Sequence, residues 1–212
     1  VILAERLLAS MPMGQPGVGE QYGGGYFVGQ LTINNLLYNI IVSPKATGQP
    51  AAVMKYKDDM VNFTGNTSTN DGILIRDNMI AAGIEHFPMQ QFCVGLTING
   101  YNDWYLPTKD EMEIAYRAMK PTTASNVLTS GKNTSSVPPQ TNFYTTTAPA
   151  QTVLVNFRSG AAQSFINDYY ATASAGASAS TFLLKRMTTG ADYSEEYQFD
   201  HICRAFRREL AA

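Results

Sequence analysis

An α+β fold is predicted for this chain of 212 residues by three observations. A complete helix-start signal stands near mid-chain at Pro107–Glu111, an aromatic and β-branched pair of runs near residue 30 reads as a hairpin, and the last seventy or so residues return to strand-like runs. Helical segments gathered in the first half and strands in the second do not give the regular strand–helix alternation of a parallel sheet.

The chain opens with a short apolar helical pattern, Ile2, Leu3, Leu7 and Leu8, followed by a Pro/Gly segment from Met11 to Gly19 that reads as a linker. Residues 1–21 are therefore an arm, and since a helix of about ten residues is marginal alone, the arm is expected to pack on a neighbouring subunit. The folded domain spans residues 22–212. Its first strands are Tyr26–Leu31 and Leu37–Val42. Residues 57–78, rich in Asn, Asp, Thr and Gly, read as a surface loop, and helix-compatible sequence follows at Asp77–Gly83 and Pro88–Leu96.

The most informative stretch is Gly100–Met112, which joins the only tryptophan, Trp104, to the helix start. Pro107 excludes a helix running through from upstream. Thr108 can accept from the N–H of Glu111, and Glu111 can reach back to the N–H of Thr108, the reciprocal capping box. Helix is expected from residue 109 to Lys120-Pro121. Met112, Ala115, Tyr116 and Met119 form its apolar face, and Lys109, Asp110, Glu113 and Arg117 are expected to stay wet. Trp104 is expected to anchor the core with Leu106 beside it. After this helix, the polar stretch Thr122–Gln151 reads as an exposed excursion. Strands are then expected at Thr152–Phe157, Thr181–Thr188, Tyr193–Phe199 and His201–Arg207, with a turn at Thr189–Asp192.

Composition narrows the function. A net charge of −2 gives no electrostatic ground for nucleic-acid binding, and Arg204, Arg207 and Arg208 make only a short basic group. No apolar run reaches the length of a membrane span. The chain begins at Val1 and lacks a signal-peptide pattern, so it is expected to be a processed product or part of a longer protein. Charged residues are 15% of the chain, so much of the surface must be neutral and polar, rich in Thr, Ser, Asn and Tyr, as in adaptable binding loops.

No catalytic constellation emerges. His86 and His201 lack zinc spacing, there is no GxSxG elbow, and Gly17-Val-Gly19 lacks the strand and helix of a dinucleotide loop. The oxygen-rich loop Asn66–Asp71 lacks EF-hand spacing, and no metal or cofactor is expected. Cys93 and Cys203 are too far apart in sequence for a CxxC site; one long-range disulfide and two buried thiols both remain open. The remaining candidate is a tyrosine-bearing polar surface made by Asn167, Asp168, Tyr169 and Tyr170 with Tyr193 and Tyr197. Clustered tyrosines offer rigid rings and hydroxyls that stack on sugars or anchor a protein.

Cys93-Val-Gly-Leu96, then Gly100-Tyr-Asn-Asp-Trp-Tyr-Leu-Pro-Thr108 with Glu111-Met112, resembles C-type-lectin-like domains at the C-termini of collagen-like bacterial adhesins and in phage tail proteins. Asp168–Ala173, Met187–Gly190 and Ile202–Arg207 stand where that family has an aromatic-hydroxyl segment, a strand ending in a Gly turn and a final Val-Arg-Ala-Val-Arg-like strand. Gly23–Gln30, Pro121-Thr-Thr and Val137-Pro-Pro139 look like a variant found in marine bacteriophage structural proteins. Ala171 and Ala173 depart from the family pattern, and Cys203 lies two positions before its common C-terminal cysteine. The resemblance implies a lectin-like fold with two helices, a small twisted antiparallel sheet and long polar loops.

It also implies a non-enzymatic virion protein, a tail fibre or spike domain that binds a host-surface glycan or protein beside other virion proteins, as a homo-oligomer with a trimer favoured. The alternatives are a capsid decoration or cement protein attached by its arm and, more remotely, a bacterial surface adhesin. A fold of this kind does not fix function, which has to be read from a site.

Overall fold

A computed structural model describes residues 16–211. The expected helix in residues 1–10 and the linker up to residue 15 lie outside the described residues. From Gly17 the chain already bonds to the body: the N–H of Gly19 donates to Phe27 O at 2.8 Å, and the N–H of Phe27 to Glu20 O at 3.0 Å. The architecture is mixed α+β. Its strands pair antiparallel, and the described residues hold four helices rather than the two expected.

The main sheet is built on β1 (Gln21–Tyr22), β2 (Gly25–Ile33) and β3 (Leu36–Val42). The β2–β3 hairpin closes on Asn34-Asn35, both at positive φ (50° and 64°). That is the geometry of a tight hairpin turn matched to strand twist, and asparagine tolerates it. A helical turn, α1 (Lys45–Gly48), and β4 (Met54–Lys55) follow. Helix α2 (Gly72–Ala81) begins five residues before the expected start, because Asp71 accepts from the N–H of Leu74 and caps it there. The 57–78 stretch is thus loop only in its first part, and Asn66 within it is buried, donating to the Tyr56 hydroxyl at 3.0 Å. Helix α3 (Pro88–Val94) starts on proline, where the missing N–H is not needed.

Helix α4 (Lys109–Met119) starts at the expected residue with both arms of the capping box formed: Thr108 N–H to Glu111 Oε2 at 2.7 Å, and Glu111 N–H to Thr108 Oγ1 at 3.4 Å. Trp104 is fully buried, with its indole N–H on Tyr101 O at 3.0 Å. Of the wet face expected for α4, Lys109 and Arg117 remain partly exposed, whereas Asp110 and Glu113 do not. Asp110 and Glu113 are only 7% and 2% exposed, because a second sheet and the 122–151 excursion cover the side opposite the main sheet. That excursion carries little regular structure beyond β5 (Ser136–Val137), which pairs with β2. It is pinned by buried Asn126, Asn133 and Tyr144.

Thr152–Phe157 is not a strand. It ends in a single tight turn, Val155–Phe157, with Val153 82% exposed, since no strand partner runs beside it. The second sheet is β6 (Tyr169–Ala175), β7 (Thr181–Arg186) and β8 (Asp192–Glu196), in that order. β8 stops before Phe199, where the chain turns into β9 (Asp200–His201), the partner of β4. The expected last strand is split. Ile202–Ala205 crosses the interior, and β10 (Phe206–Leu210) then pairs with β3.

Two apolar clusters result. One joins the inner face of the main sheet (Leu31, Ile40, Val42, Phe206) to Met112, Ala115, Tyr116 and Met119 of α4. The other packs Ile75, Met79, Met89 and Cys93 of α2 and α3 with Trp104, Leu106 and the Ala171, Ala173, Phe182 and Leu184 face of the second sheet. The small Ala171 and Ala173 admit the large Tyr56 and Phe182 rings, which stack at 4.6 Å.

Candidate functional site

The second sheet carries the tyrosines singled out in the sequence, and strand alternation sorts them. Tyr169 and Tyr193 point to the same face as Ala171 and Leu184, but at its solvent end, where the cover of α2 and α3 runs out. Their rings lie 5.8 Å apart and tilted, Tyr193 is 51% exposed, and the guanidinium of Arg186, directly opposite Tyr169 in the register, sits 5.5 Å from the Tyr169 ring. Asn167 and Asp168 are exposed at the mouth of β6; Asn167 donates to Ser159 Oγ at 3.0 Å, and Asp168 Oδ1 accepts from the N–H of Tyr169 at 2.8 Å. These five side chains form one polar and aromatic surface.

Tyr170 and Tyr197 do not belong to it. Both are fully buried. One residue on from Tyr169, Tyr170 turns to the opposite face, packs edge-on against Phe165 at 5.0 Å, and donates to Gln49 Oε1 at 2.7 Å while accepting from the N–H of Ile166. Burial pushes its hydroxyl up to about 12. Tyr197 follows the end of β8 and stacks on Tyr56 at 5.0 Å, its hydroxyl donating to Ala179 O at 3.2 Å. Both rings are structural because sequence adjacency does not place two strand residues on one face.

Arg186 is the member of the surface that the sequence did not mark; a single arginine at the end of a strand run has no local signature. A second polar surface also went unmarked. Across the outer face of the main sheet, Gln30 donates to Asn39, Asn39 to Tyr22, Tyr22 to Glu209, and Arg207 to both Glu209 and Asp103, with the Arg207 guanidinium 4.1 Å from the Tyr101 ring. Its members come from β1, β2, β3, β10 and the Trp104 loop, so only strand pairing assembles them. Every group in it already has a partner inside the network, which makes it a stiffening element for the sheet.

The interior holds a charged cluster. Lys185 Nζ lies 2.7 Å from Glu113 Oε2 and 2.6 Å from Asp192 Oδ1, with Lys185 and Glu113 side chains 1% and 2% exposed. Burial pulls the Lys185 ammonium down, but the carboxylates of Glu113 and Asp192 outweigh it and leave it above its ordinary value. Arg117 Nε donates to Glu113 Oε1 at 3.0 Å, and the Tyr144 hydroxyl donates to Oε2. One turn earlier on α4, burial raises the Asp110 carboxyl from 3.8 to about 6.

Cys93 and Cys203 are brought together in the second cluster as free, buried thiols, and burial followed by hydrogen bonding to Cys203 pushes the Cys93 thiol well up, away from the reactive thiolate form. Among the described residues no three His, Cys, Asp or Glu groups converge in a way that could hold a metal ion. In the Asn66–Asp71 loop, Asp71 is engaged by Leu74 N–H and by Arg208 at 2.8 Å, and Thr69 donates to Asp110. A broad concavity of about 840 Å³ is lined by apolar groups such as Val53, Phe92, Ile166 and Ile202 together with Lys45 and Gln49, and among the described residues no acidic side chain lines it. Among the described residues no helix is long and apolar enough to cross a membrane. No family model matches the chain, and no curated protein matches it.

Proposed function

We propose that this chain is a non-enzymatic recognition domain of a bacteriophage virion, displayed on a tail fibre or spike, that contacts a host-surface glycan or protein through the Tyr169–Arg186–Tyr193 face. The observation that carries this reading is the tilted ring pair of the exposed Tyr193 and the partly buried Tyr169, 5.8 Å apart and flanked by Arg186. Such rings present an apolar plane to the C–H face of a sugar, and the guanidinium and the Asn167 amide supply directional donors around it. Tyrosine loses little side-chain freedom when it is immobilised, so such a pair suits a contact surface.

The C-type-lectin-like reading is supported by the structural weight of the segments that resemble that family. Trp104 and Leu106 are fully buried, Thr108 and Glu111 form the capping box ahead of α4, and Ile202–Arg207 leads into the strand that closes the main sheet. On this reading the partners are other virion proteins, the host surface and further copies of the chain, a trimer if it ends a fibre.

The test has two arms. The purified chain and a Tyr169→Ala/Tyr193→Ala variant are compared on host cells and on a glycan array; the variant is expected to keep its circular dichroism spectrum, to remain folded at the assay temperature and to lose at least about tenfold in binding. Unchanged binding by the variant rejects this face. Antibody labelling of intact virions is expected to decorate the tail extremity; label over the capsid would instead favour a decoration protein.

A further inference from the structure

The charged cluster beneath β7 has a chemistry that recognition does not use. An amine and two carboxyl groups meet in the space between α4, β7 and the start of β8. Lys185 Nζ contacts Glu113 Oε2 at 2.7 Å on one side and Asp192 Oδ1 at 2.6 Å on the other. The walls are aromatic: the Tyr116 and Tyr144 ring centres lie 6.0 and 5.8 Å from Nζ. Glu113 cannot swing away, because the Nε–H of Arg117 holds Oε1 at 3.0 Å and the Tyr144 hydroxyl holds Oε2. The amine is fixed against a carboxyl group, and the oxygens of that group are already polarised by donors.

Taking two charges out of water is expensive, and their mutual attraction only partly offsets the loss of hydration. The resting form is the ammonium–carboxylate pair. Moving one proton across the 2.7 Å contact converts it into a minor form, a neutral amine and a neutral carboxylic acid, that carries no charge to desolvate. In that form the amine, at 2.7 Å from Oε2, is one bond away from the electrophilic Glu113 Cδ and needs only a small reorientation to face it, and both side chains are almost wholly shielded from water, an arrangement in which proximity contributes to rate.

We propose that Lys185 and Glu113 condense to an intramolecular amide, an isopeptide bond joining β7 to α4, with Asp192 as the proton carrier. The Lys185 nitrogen attacks Glu113 Cδ and forms the C–N bond. Asp192 accepts the proton that the nitrogen sheds, and the N–H of Arg117 steadies the oxygen on which negative charge develops. Asp192 then delivers its proton to the departing hydroxyl. The C–O bond breaks, one water leaves, and Asp192 returns to its starting state. An amine and an acid become an amide and water, with no oxidant, nucleotide or metal required. The bond spans 72 positions, so it would remove conformational freedom from the unfolded chain, which suits a domain exposed outside a cell. This inference does not depend on what the tyrosine face binds.

Intact mass spectrometry of the full chain, denatured and reduced, tests it directly. The wild-type mass is expected to fall short of the sequence mass by one water. Digestion should give a branched peptide joining the segments of Lys185 and Glu113, with no tryptic cut after Lys185. Lys185→Arg should show the full sequence mass. Asp192→Asn, a near-isosteric change at a partly exposed position, should keep the fold by circular dichroism and show the full mass or a much slower loss of water. A wild-type mass equal to the sequence mass overturns the proposal without recourse to any variant. Loss of water that persists in Lys185→Arg, or a branch mapped to Asp192 in place of Glu113, overturns it as well, and an undiminished rate in Asp192→Asn removes Asp192 from the proton path.

Discussion

Asp110 is a carboxylate whose surroundings work against its charge. It lies in the first turn of α4, 7% exposed, with Lys109 Nζ 3.9 Å away, Thr69 donating to it at 3.3 Å and the Glu113–Lys185 pair nearby. Desolvation is the largest influence and lifts its pKa from 3.8 to about 6. With the folded value above the unfolded one, the folded state binds the proton more tightly. The contribution to stability is therefore complete below about pH 4 and is lost as pH rises through about 6. Asp110→Asn is expected to stabilise the protein above pH 6 by roughly 1–2 kcal/mol, less what the charge gains at a helix N-terminus, with the advantage closing towards pH 4; melting temperatures across that range check it.

Burial raises the Glu111 carboxyl as well, with its hydrogen bonds pulling against the rise. It is buried, but it accepts from Thr108 N–H and Oγ1 and from the Tyr105 hydroxyl at 2.6 Å. Glu111→Ala removes one arm of the capping box and leaves the Tyr105 hydroxyl unpaired. A loss of about 2–4 kcal/mol in denaturant unfolding is expected.

Helix α4 shows how far a local pattern reaches. Its start was written in Pro107, Thr108 and Glu111, because a cap is a contact between residues three apart and needs nothing from the rest of the fold. Its apolar face was written in the spacing of Met112, Ala115, Tyr116 and Met119, all buried. Its other side is only partly legible, since a charged residue reports a need for a partner and not a need for water: Lys109 and Arg117 stay partly exposed, while Glu113 meets Lys185, Arg117 and Tyr144. The approach of α4 to the main sheet is set by a glycine. Gly29, at a β2 bulge with φ of 146°, would bring a Cβ to 2.7 Å from Ile114 Cγ2. Gly29→Ala combines strained backbone with a clash against a buried side chain, and should cost more than about 1 kcal/mol, read as a lower denaturation midpoint with an unchanged slope.

At the scale of the molecule, distant segments are tied through Arg204. It is fully buried, its guanidinium donates to Ser43 O at 2.7 and 3.0 Å and to Gln163 O at 2.8 Å, and it lies 4.7 Å from the Phe165 ring. Burial lowers its pKa to about 10, which still leaves it charged at neutral pH. Lysine cannot supply the fork or the flat stacking surface, so Arg204→Lys is expected to lose about 2–4 kcal/mol despite conserving charge. The tyrosine face makes the contrasting prediction. Tyr193 is half exposed and Tyr169 only partly packed on the second cluster, so the double alanine variant should lose no more than about 2 kcal/mol in unfolding and stay folded while altering binding.

The sequence by itself determined what depends on neighbours a few residues away: the α4 start, the β2–β3 hairpin, the α3 start at Pro88, and the burial of Trp104 and Leu106. It also determined the mixed α+β composition, because periodicity is a local property. Only the tertiary structure decided which tyrosines face solvent, that Arg186 stands beside Tyr169, that Cys93 meets Cys203, and that Lys185 is enclosed with Glu113 and Asp192. Each of these depends on which strands pair and in what register. A shift of one residue exchanges the two faces of a strand, and the pairs that fix the register range from Tyr169 with Arg186 in a hairpin to Val42 with Phe206 towards opposite ends of the chain.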